Sequence, residues 1–130
     1  STKNFIKLTS KKKYDFDTVL LCANAGDIHH LPFITTVIPE ARKKKIGIIA
    51  MKVTAQGNAF PQISMKDALY FTLTQDVDLA IVGCRTPKEV EENAELVKSF
   101  TKLNKYELEA VENKTKNHAI NFNFFKKGVY

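Results

Sequence analysis

Three apolar runs, at residues 17–22, 46–53 and 77–82, recur at intervals of about 30 residues, with helix-forming sequence between them. The first, 17–22, is continuously apolar, as expected of a strand buried on both faces. Strands this far apart do not join by tight hairpins. They pair in parallel through crossovers of about a dozen residues or more, usually helices. The spacing therefore predicts βαβ units and a parallel sheet. It suits a flavodoxin-like open sheet and a barrel equally well.

The intervening stretches carry explicit helix signals. Ser64 with Asp67, Thr86 with Glu89, and Asn104 with Glu107 each stand three residues apart, the spacing of a capping box. They predict helices over 65–75, over 87–100 and from 105 to about 115, with Pro87 at a first helical position. In the second of these, Val90, Leu96, Val97 and Phe100 are the inward positions. Residues 3–13 read as a helix with Phe5, Ile6 and Leu8 apolar, and residues 33–45 as a helix that Pro39 kinks or begins. A loop with Gly57 and Pro61 covers 54–63. The tail, 117–130, is rich in Phe and Asn without a clear period, and Phe122, Phe124 and Phe125 are expected to pack onto the rest.

With 130 residues, 44% hydrophobic and 26% charged, the chain suffices for one domain. No apolar run approaches the ~18 residues of a membrane span, and no signal-peptide core opens the sequence, so a cytoplasmic setting without membrane is expected. Cys22 and Cys84, at strand ends, read as reduced, half-buried thiols. The net charge of +6 gathers in Lys11–Lys13 and Arg42–Lys45. Both runs fall at helix C-termini, where cations complement the dipole, and neither is interleaved with aromatic residues as a nucleic-acid surface would be. No nucleic-acid partner is expected. Asp27, His29 and His30 lack a third well-spaced ligand and read as a loop capping the next helix rather than a zinc site. His118, alone in the tail, reads as exposed.

The richest segment runs from Ala80 to Asn93: a strand, then Gly83-Cys84-Arg85, then a helix opening at Thr86-Pro87. The free N–H groups at such a helix start favour an anion, and Arg85 adds a permanent charge. Glu92 and Asn93, two turns further on, are placed to hydrogen-bond a base. This segment resembles the last βα unit of the aldo/keto reductases, in which the eighth barrel strand is followed by a Gly, a basic residue and a Glu-Asn pair. Tyr14–Leu21 followed by Asn24–His30 is similar to the sixth strand and loop of the family's bacterial branch, and Ile46–Val53 to its seventh. The resemblance covers about residues 14 to 115.

The resemblance implies that residues 1–130 form a single C-terminal portion of a (β/α)₈ TIM barrel, its strands 6–8, since a whole barrel needs about 250 residues. The implied activity is reduction of a small-molecule carbonyl by NADP(H) or NAD(H). The family's Asp, Tyr, Lys and His lie on earlier strands, so no catalytic residue is carried over and the chain alone is expected to be inactive. By resemblance, Met51, Lys52 and Val53 lie along the cofactor pyrophosphate. Gly83, Cys84 and Arg85 lie near the adenosine ribose and its 2′-phosphate, and Glu92 and Asn93 at the adenine. The mouths at Met51–Val53 and Gly83–Arg85 are then expected side by side. Two positions depart from the family: Glu89 stands where many members have an Arg that grips the 2′-phosphate, and Leu20 or a neighbour where many have a Gln for the nicotinamide amide.

Three strands cannot close a barrel, so the unpaired edges require the missing N-terminal portion, self-association, or an open sheet of the chain's own. The reading from another class is a non-catalytic nucleotide-binding or assembly module.

Overall fold

The computed structural model describes Asn4 and residues 16–126. The helix expected over 3–13 (Asn4 apart) and the run Lys11–Lys13 lie outside the described residues. Strands β1 (Thr18–Cys22), β2 (Gly47–Met51) and β3 (Leu79–Ala80) form a parallel sheet in the order β1-β2-β3. Helices α1 (Phe33–Thr36) and α2 (Ile38–Lys43) link the first two strands, and α3 (Met65–Thr74) the second and third. Then come α4 (Pro87–Lys98), α5 (Lys105–Lys116) and α6 (Ala119–Phe122). No helix among the described residues is long and apolar enough to cross a membrane.

Local chemistry sets these boundaries. The Ser64 hydroxyl accepts from the Asp67 N–H at 3.0 Å while the Asp67 carboxylate accepts from the Ser64 N–H at 3.4 Å. Asn104 and Glu107 do the same at 3.0 and 2.7 Å. Each of these boxes contributes about 1 kcal/mol to its helix. Pro39 divides the expected 33–45 helix in two, because it lacks an N–H and suits only a first turn, here that of α2. Asp27 closes the loop after β1 by accepting from the Ile34 N–H at 2.9 Å, capping the next helix as its position suggested.

Registers Leu20↔Ile49↔Leu79 and Leu21↔Ala50↔Ala80 put alternate residues on opposite faces. The face of Leu21, Ile48 and Ala50 is buried against Val37, Ile38 and Ala41. A second cluster, around Phe71, Leu69, Val111 and Phe122, packs Val53 and Val82 against α3, α5 and the tail. The other face is covered by no described helix: Leu20 is 49% exposed, Leu79 53% and Ile81 51%. Burial on both faces, expected of the strand at 17–22, is therefore realised on one face only, with Leu21 buried and Leu20 exposed.

Two further expectations change. The third strand, expected over 77–82, keeps two residues, Leu79–Ala80, paired with Ile49 and Ala50 of β2. In α4 and just past its end, Leu96 and Phe100 are partly buried, but Val90 and Val97 are 53% and 46% exposed. Tyr70 explains which side is buried. Its hydroxyl donates to the Leu96 carbonyl at 3.1 Å and its ring meets Phe100 edge-on at 5.2 Å, so α4 leans on α3 by that side.

The aperiodic tail is ordered into α6 and a 3-10 turn, Phe124–Lys126. Lys126 is buried with Asp27, their charged atoms 2.6 Å apart, and also donates to the His30 carbonyl at 2.6 Å. Asn24 Nδ2 donates to the Phe122 carbonyl at 3.3 Å, and Asn123 Nδ2 to that of Gly26 at 2.7 Å. The tail is thus stapled to the loop after β1. His118, expected to be exposed, is half-buried beside Gln62.

Candidate functional site at the strand mouths

The C-terminal ends of β2 and β3 open side by side onto one cavity of about 510 Å³. Met51, Lys52, Val53, Thr54, Gln56 and Gly57 line it from β2, and Ile81, Val82, Gly83, Cys84, Arg85 and Glu89 from β3 and α4. Parallel pairing causes this, since it puts both strand C-termini at one end. The chain leaves β2 through a run of left-handed residues: Lys52 (φ 55°), Ala55 (φ 49°), Gln56 (φ 58°) and Gly57 (φ 90°). Three of these are not glycine, an uncommon conformation held here by surrounding structure. One such support is the Asn24 side chain, which donates to the Lys52 carbonyl at 3.4 Å.

At the α4 end, Thr86 caps as its sequence predicts, its hydroxyl accepting from the Glu89 N–H at 3.2 Å. The reciprocal half of the box is displaced by one residue. The Glu89 carboxylate accepts from the Arg85 N–H at 2.6 Å, and its other oxygen lies 3.9 Å from the Arg85 guanidinium. The position at which this helix start favours an anion is thereby held by the chain's own carboxylate. Arg85 is otherwise open to solvent, its side chain 93% exposed.

Of the eight residues singled out for the cofactor, Met51, Lys52, Val53, Gly83, Cys84 and Arg85 come together around this cavity. Glu92 and Asn93 do not line it. They face the groove between α3 and α4 beside Met65 and Ser99, where Glu92 pairs with Lys88 at 3.7 Å. Asn93 touches the cavity wall indirectly, its Nδ2 lying 3.3 Å from Cys84 Sγ. Leu20 lies on the exposed sheet face, one strand removed.

Cys22 is buried and Cys84 exposed, where half-burial was expected of both; both are free thiols. Burial pushes the Cys22 thiol up, opposed by the positive charges of Lys52 and Lys126. His29 Nε2 is engaged by the Glu112 carbonyl at 2.9 Å and the Thr115 hydroxyl at 3.1 Å, tying the β1 loop to α5.

Sequence reasoning missed part of the lining and a neighbour of Lys52 outside it. Thr54, Gln56 and Gly57 sit in a stretch marked only as a loop, where Gly57 was the available signal. Phe124 and Phe125 stand edge to face at 5.4 Å, with the Lys52 ammonium 5.5 and 5.8 Å from their ring centres. Their aromatic run was visible, but its target was not. No family model matches the chain, and neither a curated protein nor a solved structure matches it.

Proposed function

We propose that this chain is the cofactor-binding arc, strands 6–8, of an aldo/keto reductase-like (β/α)₈ barrel that reduces a small-molecule carbonyl with NAD(P)H in the cytoplasm. The observation that carries the reading is the shared cavity, in which six of the eight expected residues meet at the C-terminal ends of adjacent parallel strands. Ligands of parallel α/β folds bind at that end. Further support comes from the helices packed on one face of the sheet while Leu20, Leu79 and Ile81 are left exposed on the other. A doubly wound sheet covers both faces with helices, whereas a barrel puts helices outside and fills the inner face with side chains from other strands.

In this reading the pyrophosphate lies along Met51, Lys52 and Val53, and the adenosine ribose near Gly83, Cys84 and Arg85. Adenine reaches Glu92 and Asn93 over the Cys84 rim. Hydride chemistry belongs to the cofactor; these residues bind and orient it. The proton donor and its partners would come from strands outside this chain, supplied by a longer polypeptide or by association, so the chain alone turns over no carbonyl.

Fluorescence titration of the purified chain with NADH and NADPH tests the binding half. Saturable binding that displacement by ADP-ribose reverses is expected, and no binding of either nucleotide overturns the reading. The exposed apolar residues also fit a non-catalytic assembly module. The mass of the native gene product separates the two, because the enzyme requires about 150 to 200 further residues of βα pattern.

A further inference from the structure

We infer that the loop after β1 forms a site for a primary alkylammonium ion, and that the chain fills it in cis with the Lys126 side chain of its own tail. None of the residues that build this site lines the strand-mouth cavity, and the inference does not rest on the proposed cofactor.

The number and kind of groups match a primary ammonium. Lys126 and Asp27 are buried together, their side chains 2% and 0% exposed. The Lys126 ammonium donates to Asp27 Oδ1 at 2.6 Å, to the His30 carbonyl at 2.6 Å and to the Leu31 carbonyl at 3.1 Å. An ammonium on a carbon stem has three N–H donors and no acceptor, so these three oxygens satisfy it completely. One of them is charged and balances the buried cation, which burial would otherwise penalise heavily. Aromatic rings complete the enclosure, with the ring centre of Phe33 at 4.7 Å and that of Phe125 at 5.8 Å. Their faces attract a cation through the ring quadrupole. A guanidinium would bring five donors in a planar fork and a quaternary ammonium none, so neither fits three acceptors.

The site is held in shape by bonds that do not involve Lys126. The second carboxylate oxygen of Asp27 accepts from the Ile34 N–H at 2.9 Å, and the Asn24 side chain accepts from the Gly26 N–H at 3.0 Å. His29 ties the loop to α5 through the Glu112 carbonyl and the Thr115 hydroxyl. Leu31, whose carbonyl is one of the three acceptors, stands in the left-handed region at φ 43°, a conformation that its surroundings must hold. The tail is fixed up to the edge of the site in the same way, by buried Phe122 and by Asn123 donating to the Gly26 carbonyl at 2.7 Å. Truncating the Lys126 side chain therefore leaves a slot ending at a buried carboxylate without its counter-charge, and such a group draws a cation.

The test is rescue of Lys126→Ala on the full chain, read as the urea midpoint at pH 7. The substitution removes the equivalent of a propylammonium group, so n-propylammonium chloride is the probe. Lys126→Ala should lower the folding equilibrium constant roughly a hundredfold to a thousandfold, the scale of breaking a buried ion pair. Added n-propylammonium should raise its midpoint saturably, because a ligand that binds only the folded chain stabilises it. The unaltered chain, whose site is filled, should respond no more than it does to sodium chloride at the same ionic strength. Tetramethylammonium carries the same charge without an N–H and should rescue no better than sodium. Where Lys126→Ala is unfolded without the amine, regain of its circular dichroism on adding n-propylammonium is the equivalent readout. Asp27→Asn combined with Lys126→Ala should abolish the rescue. An equal gain from tetramethylammonium or sodium, or a gain that survives Asp27→Asn, would overturn the site, as would a Lys126→Ala chain that n-propylammonium neither stabilises nor refolds.

Discussion

Glu89 shows how one side chain sets the chemistry of a site. It was placed by the sequence in a capping box, yet its carboxylate reaches past Thr86 to the Arg85 N–H. In the proposed nucleotide site, a phosphate on the ribose would have to compete with that carboxylate and meet its charge, whereas a hydroxyl can donate to it. NADH should therefore bind more tightly than NADPH, and Glu89→Gln should narrow the gap by freeing Arg85 while removing the repulsion. Paired titrations of both variants with both nucleotides check this; an unchanged ratio would mean that Glu89 does not read the 2′ position. Gly26 carries a different constraint at the same scale. A Cβ there would overlap the Phe122 side chain, which is fully buried. Gly26→Ala should accordingly lower stability by about 1–3 kcal/mol, the cost of overpacking, and chemical denaturation measures it.

The elements divide according to how local their causes are. The helices at 65–74 and 105–116 were legible because their capping boxes are written within three residues, and the structure forms both boxes. The strand at 18–22 was legible from its apolar run. What failed was decided at long range. Which side of α4 is buried depends on Tyr70, 26 residues from the Leu96 carbonyl to which it donates. The tail's order depends on Asn24, Gly26 and Asp27, about a hundred residues away, so no period in its own sequence announces it. In the site, the strand mouths could be read because parallel topology fixes them; the left-handed turns after β2 that bring Gln56 and Gly57 to the cavity could not.

The start of the sheet depends on another distant contact with a pH signature. Asp78 accepts from the Ile48 N–H at 2.7 Å and from Arg42 at 2.6 Å, and the hydrogen bond from Arg42 holds its carboxyl below the ordinary aspartate range. A carboxyl whose pKa is lowered by folding stabilises the fold above its unfolded value, and that contribution is lost as pH falls through the folded one. Asp78→Asn keeps an acceptor for Ile48 but removes the charge facing Arg42. Its urea midpoint should fall below that of the unaltered chain at pH 7, and the difference should close as pH drops below about 4. A difference independent of pH would assign the effect to packing.

The whole molecule is asymmetric in a way its composition does not suggest. One sheet face and the Val90–Val97 side of α4 are apolar and open, and they adjoin along the β3 edge, where Leu79, Ala80, Val90, Ala94 and Val97 line a groove of about 430 Å³. Solvated apolar surface of this kind is uncommon in a monomer and marks surface awaiting a cover. An exposed parallel edge adds unpaired backbone groups to it. In the proposed barrel the remaining strands and their helices supply both covers. In a purified sample of this chain another copy is the surface available, so association should grow with concentration. Light scattering across micromolar to millimolar protein should show the mean mass rising. Leu79→Lys with Val97→Lys should hold it near 14.7 kDa without lowering the melting temperature, because both side chains already face solvent. A constant monomer mass over that range would show that this face is stable in water as it stands, and the barrel reading would lose the support it draws from the open face.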